Sequence, residues 1–360
     1  MGRYKICVYA ICKNEEKFVD RWMDAVSEAD LVVVSDTGST DQTVSKLRSR
    51  GALVYEDTIS PWRFDDARNA AMDHIPDDVD ICVSNDLDEI FEPGWRRKLE
   101  EAWRPNHTRA RYLFTWSHKP DGQPDKQFPM EKIHRRKGFR WVHPVHEVLA
   151  YKGPDKEEVV FVKGMVLNHY PDLSKPRSQY LPLLELSAKE NPTDDRTIFW
   201  LGREYMYYGK HDQSIETLKR HLQLPGALWD VERSASMRYI AKCYQAKNDI
   251  TEAKRWLYRA IAECSVIREP YHDMARLGYI LNDWPLTFMM VEKGLAVTMQ
   301  IGGYLLEPSS WGYSLYDLGA IACYQLGLYK KARDYARKAY DLEPADQRLK
   351  NNLMLIEAKL

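Results

Sequence analysis

Two carboxylates stand one residue apart in this sequence, at Asp86 and Asp88, directly after the short apolar run 81–83. The run is β-branched at two positions and predicts a buried parallel strand. Because side chains at positions i and i+2 of an extended segment point the same way, both carboxylates can address one ligand. Hard oxygen ligands suit Mg²⁺ or Mn²⁺, which keeps free positions for substrate phosphates. The competing interpretation is an acidic surface turn, since Asp-x-Asp is frequent by chance.

The elements that must position these carboxylates are predicted on either side of them. Apolar runs predict four strands, at 5–11, 31–35, 52–55 and 80–83. Helical patterns alternate with them, and this rhythm predicts βαβ units and a parallel sheet. Polar motifs follow the strands, where ligands bind such sheets. Beyond Arg109 the rhythm changes, and further strands are predicted at 111–116, 132–136 and 159–162.

Composition excludes several classes of function. The 360 residues are enough for two domains, and a formal net charge of −1 gives no field that would steer the chain to nucleic acid or an anionic membrane. The six cysteines form no C-x-x-C pair, which favours buried thiols in a cytoplasmic protein over zinc or disulfides. We expect no signal peptide and no membrane span, because the chain runs straight into a strand and has no long apolar stretch.

Four short motifs follow one another in the first half of the chain. They are Lys13-Asn14-Glu15-Glu16, Asp36-Thr37-Gly38-Ser39-Thr40-Asp41, Phe64-Asp65-Asp66-Ala67-Arg68-Asn69 and Asp86-Leu87-Asp88-Glu89. In this order they resemble the family 2 glycosyltransferases with the GT-A fold, over roughly residues 4–170. The resemblance implies an α/β GT-A (Rossmann-like) domain that binds a nucleotide sugar. Asn85 departs from the family pattern, because many relatives have an apolar residue there, but it can still face the sheet.

The resemblance also assigns residues to the donor site. The positions that correspond to nucleotide-sugar-binding residues are Ile11, Glu15, Asp36, Arg68, Asp86 and Leu87. Asp88 is expected to hold Mn²⁺ or Mg²⁺. Some GT-A enzymes complete the metal shell with a histidine from the end of the domain, here His169, and an imidazole nitrogen is acceptable to Mn²⁺. His169 could instead hydrogen-bond a diphosphate oxygen or the core.

Asp36 and Arg68 have structural alternatives as well. Asp36 could, with the residues after it, only shape the turn and cap the next helix. Arg68 could pair with Asp65 or Asp66 on the helix surface. Local chemistry does not separate these roles from ligand binding.

Glu147 is the candidate general base. An inverting transferase must take a proton from the acceptor, and a partly desolvated carboxylate suits that role. Glu147 could instead form a structural ion pair with one of three arginines, Arg135, Arg136 or Arg140. The nearby His143 and His146 could orient Glu147 or contact the acceptor. Residues 121–125 predict a mobile turn that could cover the donor.

The C-terminal half predicts paired helices in repeats. Small residues recur at helical spacing in four copies, one of them weaker and one stretched by an insertion around 301–303. The spacing resembles tetratricopeptide repeats, whose small residues let paired helices close on each other while the stack buries one core. Such an all-α solenoid can hold an extended peptide or another protein. Aromatic residues could supply contacts, although most are expected to pack between helices: Trp200, Tyr207, Tyr208 and Tyr239.

The predicted organisation is a GT-A domain at 1–172, a linker helix at 173–195 and a tetratricopeptide-repeat domain at 196–360. This order resembles bacterial peptide glycosyltransferases of glycocin pathways, which modify cysteine or serine. It implies inverting, metal-dependent transfer from a UDP-sugar to a peptide or protein held by the repeats, although the repeats could equally form a homodimer. Two alternatives stay open: a lipopolysaccharide-core or other glycan acceptor, and a catalytically inactive repeat scaffold. The sequence does not identify the sugar or the acceptor atom.

Overall fold

The computed structural model describes residues 3–172, 180–301 and 303–360, and the chain divides into two compact units, 1–187 and 188–360. The first part of the predicted linker, 173–179, and Gly302 of the predicted insertion lie outside the described residues. Within the described residues, no helix is both long and apolar enough to cross a membrane. Each unit is described by itself below.

The first unit begins with the predicted alternation of strands and helices. The strands are β1 (Ile6–Cys12), β2 (Leu31–Asp36), β3 (Leu53–Glu56) and β4 (Ile81–Ser84), and the helices are α1 (Val19–Ala25), α2 (Thr43–Ser49) and α3 (Phe64–Asp73). These four strands pair in parallel in the order β3-β2-β1-β4. Helical crossovers make that arrangement possible, because parallel neighbours need a long connection.

Beyond β4 the sheet is mixed, so the parallel pairing is continuous across these four strands and recurs between only two of the later ones. The further elements are β5 (Glu89–Phe91), α4 (Trp95–Ala102), β6 (Arg109–His118), β7 (Pro124–Arg135), β8 (Phe139–Val142), β9 (Val148–Tyr151) and β10 (Val159–His169). The eight-stranded sheet has the order β3-β2-β1-β4-β7-β6-β10-β5, and β8 and β9 form a separate hairpin. β7 is antiparallel to both β4 and β6. A tight turn joins β6 to β7, which permits only an antiparallel pair.

The turn predicted as a cover for the donor is this hairpin turn. The Lys119 N–H donates to the Gln123 carbonyl at 2.8 Å, and the Gly122 N–H donates to the Lys119 carbonyl at 2.9 Å. β6 and β7 pair on both sides of it through most of their length, and a movement of this turn over a donor stays a prediction.

Both faces of the sheet are covered. Alternate side chains of β1 divide between two apolar clusters, with Ile6 and Val8 in one and Cys7 and Tyr9 in the other. The first cluster includes the fully buried tryptophan of α1, Trp22, and the second includes residues of α3. This period of two, with both sets apolar, is what a strand covered on each face requires. All six cysteines are buried and unbridged, as predicted.

The second unit contains antiparallel helix pairs. After α5 (Tyr180–Glu190) the pairs are α6 (Asp195–Tyr207) with α7 (His211–His221), α8 (Asp230–Ala246) with α9 (Ile250–Glu263), α10 (Glu269–Ile280) with α11 (Trp284–Ala296), and α12 (Ser314–Gln325) with α13 (Tyr329–Leu342), followed by α14 (Gln347–Glu357). The predicted helical repeats are confirmed as these four pairs.

Small residues hold the paired helices close, as the sequence pattern predicted. A Cβ added at Gly202 would lie 2.6 Å from the Leu218 side chain, so only glycine permits this approach of α6 to α7. One residue with a left-handed backbone closes the turn of each pair, with φ between 55° and 73°: Gly209, Asn248, Asn282 and Gly327. Glycine and asparagine are the residues that tolerate this conformation.

Candidate functional site

The loops after β1 and β2 hold each other in place. Asn14 has a left-handed backbone (φ 56°) and accepts the Thr40 N–H on its side-chain oxygen at 2.8 Å. Its own N–H donates to Ser39 Oγ at 2.9 Å. Asp41 accepts the Glu16 N–H at 3.2 Å. The first two of the four sequence motifs therefore form one hydrogen-bonded structure at the carboxyl end of the sheet.

Asp36 shapes the turn that follows β2. Its Oδ2 accepts the N–H groups of Gly38 at 3.0 Å and Ser39 at 2.9 Å. Gly38 adopts φ 101°, a conformation that favours glycine. These contacts match the predicted structural role of Asp36, which is to shape the turn. A hydrogen bond from Asp36 to a nucleotide would be additional to them.

Arg68 lies at the centre of the candidate site. Its Nη1 and Nη2 donate to the two oxygens of Asp86 at 2.7 and 2.9 Å, and its Nε donates to Glu147 Oε1 at 2.6 Å. Burial alone would lower the pKa of Arg68, but the charges of Asp86 and Glu147 more than offset it and raise the pKa. Burial likewise acts against the ionised Asp86, and Arg68 with Lys132 nevertheless lowers the pKa of this carboxyl. Arg68 and Asp86 are therefore both charged.

Contacts between α3 and the segment after β7 bring Arg68 and Glu147 together. Asn69 donates to the Trp141 carbonyl at 2.9 Å and accepts the Trp141 N–H at 3.0 Å. The Phe64 N–H donates to the Pro144 carbonyl at 3.0 Å. The Trp141 ring lies 5.1 Å from the Arg68 guanidinium. In the Arg-Asn pair of the third motif, Arg68 therefore contacts the site, and Asn69 binds the strand β8 that precedes Glu147.

Asp88 and His169 face each other beside this network. His169 Nε2 lies 3.4 Å from Asp88 Oδ2, and the Tyr170 N–H donates to the Asp88 carbonyl at 2.8 Å. Burial lowers the pKa of His169, but the Asp88 carboxylate outweighs it and raises the pKa. The Asp88 side chain is 27% exposed, so solvent and ligands reach it. A carboxylate oxygen and an imidazole nitrogen at this distance fit Mn²⁺, whose remaining positions water and phosphate oxygens would fill.

Sequence reasoning missed two charged residues of the site, Lys132 and Glu89. Lys132 Nζ lies 2.9 Å from Glu89 Oε1 and 3.3 Å from Asp86 Oδ2. Glu89 Oε2 also accepts the Asp86 N–H at 3.0 Å. Lys132 lies in β7, whose place beside β4 could not be predicted because that pairing is antiparallel and distant in sequence. Glu89 could have been predicted as a site residue, because it is the last residue of the fourth motif.

The other predicted site residues have varied surroundings. Leu87 is buried in the apolar core, so only its backbone can meet a ligand. Ile11 is partly buried near the end of β1, and the Glu15 N–H donates to Thr43 Oγ1 at 2.7 Å. Asn85 faces the core, as expected, where its Oδ1 accepts the Trp22 Nε1–H at 2.7 Å.

Glu147 pairs with Arg68 and with none of the three arginines predicted as structural partners. The residues before it adopt left-handed backbones, with φ 76° at His143 and 51° at His146. The His146 ring lies 5.8 Å from the Tyr180 ring. These contacts give neither histidine a described hydrogen bond to Glu147, so an orienting role for them stays a prediction.

Comparison with known proteins returned helical-repeat structures. No family model matches the chain. Similar solved structures include a MamA protein, at 20% identity and a TM-score of 0.36 over 46% of this chain and 81% of that chain. They also include the C-terminal part of a TPR repeat-containing protein from Cytophaga hutchinsonii, at 15% identity and a TM-score of 0.41 over 51% of this chain and 66% of that chain. A third is the APC/C hetero-tetramer Cut9-Hcn1, at 13% identity and a TM-score of 0.39 over 50% and 33%.

These comparisons correct the expected family. No family model supports a glycosyltransferase, and the solved structures named above are repeat proteins, so assignment to the family 2 glycosyltransferases, and to glycocin-type enzymes among them, is wrong, and so is the GT-A fold class. The physical reason lies in the motifs. Asn14, Asp36 and Asp41 each bind backbone N–H groups of neighbouring loops, so these residue types at this spacing serve loop structure without reference to a family. The mixed sheet and the helical repeats remain as the description of the fold.

Proposed function

We propose that the helical unit binds a protein or peptide, and that the α/β unit transfers a sugar to it from a nucleoside diphosphate donor, most simply a UDP-sugar. The two parts of the proposal have separate supports and separate tests. The binding part depends on the helix pairs and their exposed aromatic residues. The transfer part depends on one observation, the facing of Asp88 and His169 beside the charged network around Arg68.

The binding part is supported by aromatic side chains that the helix pairs leave open. The Tyr207 side chain is 59% exposed, and Tyr208 and Trp229 are also exposed. The Arg203 guanidinium lies 3.8 Å from the ring of Trp200 and 5.4 Å from that of Tyr207. Tyrosine, tryptophan and arginine carry much of the binding energy at protein interfaces. Trp200 itself is buried, as expected for a residue that packs between helices.

In the transfer part, each described residue has a task that its contacts allow. Asp88 and His169 would hold a divalent ion, which neutralises the charge on a departing diphosphate. Arg68 is held on both sides, so it would present a fixed positive charge without reorganisation. Glu147 uses Oε1 for Arg68, and Oε2 would take the proton of the acceptor hydroxyl or thiol. The bond from the anomeric carbon to the diphosphate breaks as the bond to the acceptor forms.

The experiment is a mass-spectrometric screen of UDP-sugars with Mn²⁺ against peptides that carry thiols or hydroxyls. A mass increase of one sugar with release of UDP supports the proposal. Asp88→Ala should abolish turnover, while the matched Asp155→Ala, at an exposed position between β9 and β10, should leave it unchanged. Turnover that survives Asp88→Ala removes the assigned ion site.

A second candidate is a repeat scaffold without catalytic activity. It is favoured by the charge balance around Arg68, because Asp86 and Glu147 both satisfy the arginine and the network is complete without a ligand. Peptide binding that Tyr207→Ala and Trp229→Ala weaken, with no UDP release from any sugar donor, would establish this candidate. If Tyr207→Ala and Trp229→Ala leave peptide binding unchanged, the helical unit is not the binding site in either candidate function.

A further inference from the structure

A second cluster of possible metal ligands lies within the helical unit, where nothing in the proposed function uses it. Asp195 begins α6, His221 ends α7 and Glu232 lies in the first turn of α8. One ligand atom from each lies within 4.8 Å of the others. Three elements that are separate in sequence thus meet at one point through residues that bind metals.

Arg196 acts on Tyr304 nearby, but no lysine or arginine of the described residues lies in ion-pair contact with the carboxylates of this cluster. Glu232 is 5% exposed and His221 is fully buried. Across residues 3–172, 180–301 and 303–360, neither Asp195 nor Glu232 forms an ion pair with a lysine or an arginine. A buried carboxylate next to a second carboxylate is costly unless a cation compensates it. A metal ion bound by all three side chains would provide this compensation.

Hydrogen bonds around the cluster orient its ligands. His221 Nδ1 lies 2.9 Å from Ser236 Oγ, and in the tautomer that donates this bond Nε2 keeps a lone pair. That Nε2 lies 3.3 Å from Glu232 Oε1. The Tyr304 hydroxyl donates to the other oxygen, Oε2, of Glu232. Histidine ligands in metal sites commonly donate their second N–H in this way, and such outer bonds fix the ring.

The space around Asp195 is also specific. A Cβ added at Gly226 would lie 2.8 Å from Asp195 Oδ1, so a side chain there would displace this carboxylate. The backbone of Gly226 is not left-handed, so space rather than conformation accounts for the glycine. Because Gly226, in the loop between α7 and α8, has no side chain, the Asp195 carboxylate can lie beside His221 and Glu232.

We infer that Asp195, His221 and Glu232 form a site for a first-row divalent metal ion of the zinc type, which ties α6, α7 and α8 together. One imidazole nitrogen and two carboxylate oxygens are ligands that Zn²⁺ accepts, with water in the fourth position. The metal would place a positive charge in direct contact with both carboxylates, which no lysine or arginine of the described residues does. Its role is structural, and it is independent of the site at Asp88.

The test measures Co²⁺ and Zn²⁺ binding to the full chain carrying Asp88→Ala, so that the other site contributes nothing. We expect one ion per chain, a visible Co²⁺ spectrum that Zn²⁺ displaces, and a Tm raised by Zn²⁺. His221→Asn should abolish all three. His211→Asn, on the same helix but outside the cluster, should leave them unchanged. Tyr304→Phe keeps the ring and should weaken Zn²⁺ binding about 10- to 100-fold.

Asp195→Asn tests the site in case His221→Asn does not fold, because Asp195 lies at a partly exposed helix end, where a substitution disturbs the core less. A folded Asp195→Asn protein with at least tenfold weaker Zn²⁺ binding supports the site. Unchanged binding in Asp195→Asn, or no metal bound to the Asp88→Ala chain, overturns it. Loss of sugar transfer in Asp88→Ala has no bearing on these outcomes, so the two sites fail separately.

Discussion

Each unit of the protein holds an arginine between two carboxylates, and the surroundings of the two arginines differ. Arg68 is 8% exposed, and its partner Asp86 is 26% exposed beside groups that face solvent. Arg238 is 1% exposed, and its Nε donates to Asp273 at 2.7 Å in the interior of the helix pairs. The same chemical pattern therefore occurs once at an open strand end and once in a closed core.

The difference teaches where an ion pair serves ligands and where it serves the fold. Burial would raise the pKa of Asp273, but Arg238 offsets this and lowers it, so the pair stays charged without solvent. Each carboxylate has a second cation nearby, Lys132 at 3.3 Å from Asp86 and Lys242 at 3.7 Å from Asp273, so the contrast lies in exposure, 26% for Asp86 and 6% for Asp273. We therefore expect loss of Arg238 to unfold its surroundings and loss of Arg68 to change binding more than stability.

Replacing Arg238 should have the largest effect on stability. Arg238→Met leaves the Asp273 carboxylate buried without its main partner and should cost about 3–5 kcal/mol of the free energy of unfolding. Urea unfolding, with hydrogen exchange of α8 to locate the loss, measures it. The matched Arg238→Met/Asp273→Leu pair removes both charges and should recover most of the stability. A loss under about 1 kcal/mol in the single variant contradicts the closed-core interpretation.

Replacing Arg68 should lower the free energy of unfolding less than replacing Arg238 does, and it should lower the affinity for UDP more. Arg68→Met removes charge-assisted hydrogen bonds worth about 1.5–3 kcal/mol, while Lys132 still neutralises Asp86. UDP affinity, measured by calorimetry with Mn²⁺, should fall more steeply than stability does. Arg63→Met, at the start of the same helix, is the matched control. If Arg68→Met proves as destabilising as Arg238→Met with unchanged UDP affinity, the contrast between the two networks fails.

The two units also each bury a neutral histidine, which makes stability depend on pH. Burial lowers the pKa of His134 from 6.5 to about 3, and that of His272 to about 4. His134 Nε2 accepts the Tyr9 hydroxyl at 3.0 Å, and Nδ1–H donates to the Arg135 carbonyl at 2.7 Å. The unfolded chain binds a proton below pH 6.5 and the folded chain does not. Stability is therefore complete above pH 6.5 and is lost as pH falls toward 3 for His134 and toward 4 for His272.

This pH effect is measurable by urea unfolding at pH 7.5 and pH 5.5. Each histidine should cost about 1.4 kcal/mol between these values, in the unit that contains it. His134→Gln should remove this loss from the α/β unit, where the raised pKa of His169 acts in the opposite direction, and should leave the loss in the helical unit. An acid-induced loss that His134→Gln does not reduce would show that His134 is protonated in the fold.

The sequence predicted local elements better than the arrangement of the sheet. The parallel strands to β4 and the helix pairs follow from periodicity and turn residues, which are local signals. The pairing of β7 with β4 is a contact between residues far apart in sequence, so Lys132 was missed as a partner of Asp86. Arg68 was assigned to the site on its motif, but its pairing with Glu147 depends on contacts between α3 and the chain around Trp141.

The smallest predicted effects compare the turns of the two units. Gly38, after β2, has φ 101°, and Gly209, between α6 and α7, has φ 69°. A Cβ added at either glycine would meet nothing within 4 Å, so only backbone conformation opposes a side chain. Gly209→Ala places alanine close to the left-handed helical region and should cost about 1 kcal/mol. Gly38→Ala should cost more, because φ 101° lies outside the narrow left-handed region open to other residues.

Unfolding free energies of both variants measure this contrast, and Asn248→Gly provides its control. Asn248 already adopts φ 60° in the equivalent turn between α8 and α9, so glycine should change stability by only a few tenths of a kcal/mol. Equal costs for Gly38→Ala and Gly209→Ala would mean that the loop after β2 relaxes to a permitted conformation. In that event the hydrogen bonds from Gly38 and Ser39 to Asp36 would be too weak to fix the turn.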